Sequence, residues 1–199
     1  MNSPDIAIVY HESIPGEMFS GFVATIANDG LDIIVESRGD LGPQMSVEWF
    51  GMAAIMAYVS KPYFETILKE MGKDHYQSLK KSLGLLTAEV MRKPKIEPVI
   101  VGPNGVKKSN NPYSLAMYIL AEVNDGYEVK LLLPKPSKNH DYEEIVVTFM
   151  DFLEEYYSGV RSIESIGFDS CSTSTSIIFV HMNPETKEIE WLDWREQYR

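Results

Sequence analysis

Residues 5–36 read Asp5-Ile-Ala-Ile-Val-Tyr10, His11-Glu12-Ser13-Ile14-Pro15-Gly16, Glu17-Met-Phe-Ser-Gly-Phe-Val-Ala-Thr-Ile-Ala27, Asn28-Asp29-Gly30 and Leu31-Asp-Ile-Ile-Val-Glu36. The first and last pieces are short, continuous β-branched runs, the signature of buried strands. Between them Phe19, Phe22, Val23 and Ile26 recur at a spacing of three to four, which puts them on one side of a helix. Gly30 suits a left-handed stop after that helix. Strand, helix and strand within some thirty residues predict a βαβ unit, whose crossover makes the two strands parallel.

Outward from this unit, residues 37–44 form a polar loop with glycine and proline. Residues 49–59 follow as the uncharged run Trp-Phe-Gly-Met-Ala-Ala-Ile-Met-Ala-Tyr-Val. As a helix it would be apolar on every side, yet a membrane span needs about 20 such residues. No span is expected. Periodicity alone does not separate a buried helix from a helix leading into a buried strand, and Trp49, Phe50 and Met52 are also candidates for a docking surface. Ser60 can cap the next helix, with Pro62 tolerated in its first turn. Asp74 with Gln77 marks a further start. Tyr76, Leu79, Leu83, Leu86 and Val90 then make the clearest amphipathic stripe in the chain.

Residues 92–114 hold four prolines and two glycines. They mark the seam between two lobes, if there are two, and otherwise a connection within one compact domain covering 1–199. A short strand is expected at 99–101. Beyond them, Leu115, Met117, Ile119, Ala121 and Val123 alternate, Asn124-Asp125-Gly126 signals a hairpin, and Tyr127, Val129, Leu131 and Leu133 alternate back. Asp141 with Glu144 caps a helix carrying Ile145, Phe149, Phe152, Leu153 and Tyr156, which Gly159 stops. Strands over 176–182 and 188–194 close a second hairpin around Asn183-Pro184-Glu185-Thr186. The fold expected is mixed α+β: an N-terminal βαβ unit, a helical middle and a C-terminal antiparallel ββαββ layer.

The formal charge of −11 is uneven. Residues 141–199 hold 13 acids against 4 bases, whereas 61–108 hold 10 bases against 5 acids. An acidic surface repels phosphate backbones, so DNA is not an expected partner and RNA is disfavoured. A third reading gives the connection containing Lys107 and Lys108 an RNA contact. A single cysteine, Cys171, builds no disulfide framework, and the polar opening carries no signal-peptide pattern. Both point to the cytoplasm.

Chemistry has few places to sit. The turn at 11–16 ends a strand and opens a helix, where anions and cofactors bind in parallel α/β units. His11 and Glu12 are its candidate catalytic groups, and Ser13 and Gly16 its candidate ligand contacts. Neither a Gly-x-x-x-x-Gly-Lys-Ser/Thr nor a Gly-x-Gly-x-x-Gly loop is present. His11, His75, His140 and His181 are scattered, so no metal or cofactor is expected. Residues 167–176 do not form a Gly-x-Ser-x-Gly elbow around Ser170 or Cys171. Trp191 and Trp194 close the chain among acids, on opposite faces if the last strand persists, and are candidate interface residues.

The two opening strands, followed by the stretch Tyr58-Val-Ser60-Lys-Pro-Tyr63-Phe-Glu65, resemble the opening of Toll/interleukin-receptor (TIR) domains over about a third of the chain. The resemblance implies an enzyme that cleaves NAD through a glutamate, for which Glu65 or Glu70 is the candidate. That is the alternative function: a small nucleotide- or NAD-binding enzyme using the 11–16 turn. The first reading is a non-catalytic interaction or regulatory protein that self-associates, based on the uncharged run and the bipolar charge. It has a protein partner or a second copy as its ligand. Convergence of His11, Glu12 and Glu65 or Glu70 in one cleft separates the two.

Overall fold

The computed structural model describes residues 3–28, 30–39, 53–66, 73–93, 101–102, 105–106, 111–170 and 175–193. Strand β1 (Ile6–His11) leads through a 3-10 turn (Gly16–Phe19) into helix α1 (Ser20–Ile26), and strand β2 (Ile33–Arg38) pairs parallel with β1. The βαβ unit is therefore present. Phe19, Phe22 and Ile26 are buried, as their spacing requires. The helix stops at Ile26, four residues before Gly30. Gly30 has φ +94°, but it serves the turn in which the Leu31 N–H reaches the Asn28 carbonyl, not a helix cap.

The second part of the uncharged run is strand β3 (Ile55–Val59), with Ile55, Ala57 and Val59 fully inside. It pairs antiparallel with β1 and parallel with a later strand, so it is internal to the sheet. Its core face is buried, and Met56 and Tyr58 on the other face are half-buried between paired strands, which suits an uninterrupted apolar sequence. Trp49, Phe50 and Met52 lie outside the described residues, and so does Glu70.

Helices α2 (Lys61–Thr66) and α3 (Lys73–Met91) follow. Ser60 Oγ accepts the Tyr63 N–H at 3.3 Å, the expected cap. Tyr76, Leu79, Leu83, Leu86 and Val90 are all buried. Val101–Gly102 (β4) and Gly105–Val106 (β5) form a two-stranded pair of their own. The other residues of the 94–110 stretch lie outside the description.

Strands β6 (Tyr113–Glu122) and β7 (Glu128–Pro134) form the predicted hairpin, with Gly126 at φ +75° in its turn. A register shift between Tyr113 and Tyr118 places Ala116 in the core beside Met117, which simple alternation does not anticipate. Helix α4 (Tyr142–Tyr157) begins where Asp141 Oδ1 accepts the Glu144 N–H at 3.1 Å. It ends in a Schellman motif. Gly159, at φ +76°, bonds its N–H to Tyr156 O, and the Val160 N–H bonds to Glu155 O. Strands β8 (Ile177–Met182) and β9 (Ile189–Trp191) make the last hairpin, with Asn183 Oδ1 taking the Glu185 and Thr186 N–H groups in its turn. Each hairpin of this half is antiparallel. The α4 crossover makes the β7–β8 join between them parallel.

The sheet runs β2-β1-β3-β6-β7-β8-β9, so strands from both halves of the sequence share one seven-stranded sheet. The helices pack on each other and on one face of it. Their joint core includes Ile8, Phe19, Phe64, Leu83, Ile119, Leu131 and Phe149. α3 and α4 approach closely at Gly84, where a Cβ would meet Glu143 Cα at 3.5 Å, an ordinary contact. The space exists and the helix gains from losing a glycine. Gly84→Ala is therefore expected to stabilise the fold by about 0.5–1 kcal/mol, read as a higher denaturation midpoint.

Candidate functional site

At the 11–16 turn, His11 Nδ1 lies 2.7 Å from Ser13 Oγ and takes the Ser13 N–H at 3.2 Å. A nitrogen that accepts a backbone N–H carries no proton, so this tautomer is protonated on Nε2. The contact closes the turn locally. Glu12 reaches toward Gly39, where a Cβ would stand 3.5 Å from its Oε2. Gly16 allows close approach, since a Cβ there would lie 2.6 Å from Tyr10 Oη. Its place in the turn is thus explained by packing.

Glu65 lies far from this turn. α2 follows the end of β3, where Val59 pairs with Ile6 at the start of β1, whereas His11 lies at the other end of β1. The separation along β1 is roughly 17 Å at 3.3 Å per residue. Glu65 faces Lys61 at 3.6 Å, one turn earlier on its own helix. Ser60 and Tyr63, which carry the TIR resemblance, are used as a cap and a core ring. The structure does not bring His11 and Glu12 together with Glu65.

The histidines have structural partners. His75 Nε2 donates to the Ile26 carbonyl at 2.9 Å, and its Nδ1 then accepts from Tyr63 Oη at 3.1 Å, tying α1 to α2 and α3. His140 sits by Lys135 O and Tyr142. Burial lowers the pKa of His181, with Glu190 opposing. Trp191 stacks edge-on against Phe168 at 5.7 Å and packs on the main core. Leu192 faces the other way, beside Tyr113, Leu132 and Phe179. Trp194 is outside the described residues.

Three features escaped the sequence. The first is a cleft of about 440 Å³ at the end of the β6–β7 hairpin, lined by Lys61, Glu122, Gly126, Tyr127, Glu128 and Ser176. Glu122 and Glu128 are direct cross-strand partners. Glu122 Oε2 takes the Lys61 N–H at 2.9 Å, and its carboxylate helps burial to raise the pKa of the nearby Tyr58 hydroxyl. Burial pushes the Glu128 carboxyl upward, the Glu122 charge adds to this, and Lys130 opposes it. The cleft is open to water.

The second feature is Lys130, which is 3% exposed on the sheet face away from the helices. Its Nζ lies 3.5 Å from the centre of the Tyr118 ring and 6.0 Å from that of Phe179. Burial brings the ammonium down to about 8 while Glu128 pulls the other way.

The third feature is the sheet edge at β2. The Asp5 and Ile6 N–H groups bond to Asp32 O, and the Glu12 N–H bonds to Arg38 O. Even-numbered residues of this segment therefore turn their backbone groups toward β1. Ile33, Val35 and Ser37 turn theirs away from it, along the outer edge. Among the described residues no strand pairs with that edge. Ile34 is 39% exposed, and Glu36, Ser37 and Arg38 are exposed as well. Nothing in the composition of residues 33–38 distinguishes an edge strand from an inner one. The position follows only from the strand order.

No family model, curated protein or solved structure matches this chain. Among the described residues, no helix is long and apolar enough to cross a membrane.

Proposed function

We propose that this chain is a non-catalytic interaction protein that self-associates by strand addition at the β2 edge. The observation that carries this reading is the outward backbone of Ile33, Val35 and Ser37 beside the exposed Ile34. An edge of this kind is a template for main-chain pairing. The surface differs from the one expected at Trp49, Phe50 and Met52. For the NAD-enzyme alternative, His11 and Glu12 do not converge with Glu65, and Glu70 lies outside the described residues.

Ser37→Pro tests the reading directly. Proline removes an outward N–H and leaves the β1 pairing intact, since the Ser37 N–H does not face β1. Sedimentation velocity of the full chain across a concentration series is expected to show association. Ser37→Pro should weaken it at least tenfold with unchanged circular dichroism. Association unaffected by Ser37→Pro rules out this edge as the surface.

A further inference from the structure

Resting on that reading, we infer that the occupant of the β2 edge is the β2 strand of a second copy, antiparallel across a two-fold axis at Ser37. The two sheets then join into one of fourteen strands.

Geometry narrows the register. Among the described residues of this edge, Ile33, Val35, Ser37 and the following Gly39 offer outward backbone groups, so odd-numbered residues must oppose odd-numbered residues. A two-fold axis at Ser37 sets Ser37 against its own copy and Val35 against Gly39, with about six main-chain hydrogen bonds in all. Even-numbered residues then meet side chain to side chain in the closely spaced pairs. Glu36 of each copy lies opposite Arg38 of the other. Both side chains are exposed on the face away from the helices, and neither joins an ion pair among the described residues.

Charge separates this register from its neighbours. An axis at Glu36 would set Glu36 against its own copy, which is repulsive. An axis at Val35 would set Ile34 against Glu36 and would draw its only ion pair from Asp32, which precedes β2. Guard charges of one sign repel every incoming copy. Opposite signs two residues apart instead make an antiparallel copy complementary, a pattern that selects a second molecule of this chain.

Charge reversal tests the register. Glu36→Arg and Arg38→Glu each set like charges opposite in the dimer and should each weaken association at least tenfold. Combined, the two substitutions restore complementarity, and association should return to within about threefold of wild type. Since the wild-type pairs are exposed, its association should also weaken with added salt. Failure of the double variant to recover, while Ser37→Pro still abolishes association, overturns the Ser37 register and leaves edge association standing. A wild-type chain that stays monomeric to several hundred micromolar overturns both.

Discussion

Phe149→Ala is expected to lower the stability of the fold by about 3–5 kcal/mol, the range for emptying a fully buried aromatic site. Phe149 has no exposed surface and stands on α4 in the core that unites the helices with the sheet. α4 also spans the crossover between β7 and β8, so it contacts elements fixed by pairing on both sides. Such a site cannot collapse onto a smaller side chain without shifting strands, which puts the cost in the upper part of the range. Urea denaturation checks it through a lower midpoint at constant slope. Leu85→Ala on α3, at a residue 49% exposed, is the control and should change stability by no more than about 0.5 kcal/mol. Equal effects from the two substitutions would contradict the placement of α4 on the sheet.

Lys130→Met is expected to stabilise the protein at neutral pH, by about 1–2 kcal/mol. Lowering an amine from 10.5 to about 8 corresponds to about 3 kcal/mol of penalty on the charged form. Methionine forfeits the stacking of the ammonium on the Tyr118 ring, which offsets part of that gain. The pH dependence has a definite sign. Between about pH 8 and 10 the unfolded chain holds a proton at this lysine that the folded chain has released, so wild-type stability rises with pH relative to the variant. The gap between the two proteins should therefore close over that interval. The buried phenols of Tyr63, Tyr76 and Tyr157 are raised by burial, so the folded state loses ground only above the ordinary tyrosine range, in both proteins alike. Paired denaturation curves at pH 7, 8.5 and 10 read the difference. A gap that stays constant or widens would show that Lys130 is not the buried cation described.

These two predictions draw on different layers of information. Phe149 was legible as a core residue because Ile145, Phe149, Phe152 and Leu153 step along one side of a helix. Lys130 was not legible. In sequence it occupies the outward position of an alternating strand, where lysine is ordinary. Only the pairing of β7 with β6 and β8 brings Tyr118 and Phe179 over it.

The sequence by itself determined the local structure. Helical spacing, the Ser60 and Asp141 caps, the Asn-Asp-Gly turn and the βαβ order are readable because they depend on neighbours within a few residues. Tertiary structure decided the placement of β3 inside the sheet, the parallel join between the C-terminal hairpins and the distance between His11 and Glu65. It also decided which strand is left at the edge. All four depend on partners many residues apart, and strand order leaves no trace in the composition of a strand. The candidate surface lies at β2 for that reason, where six residues of unremarkable sequence gain an open side from the order in which the sheet is built.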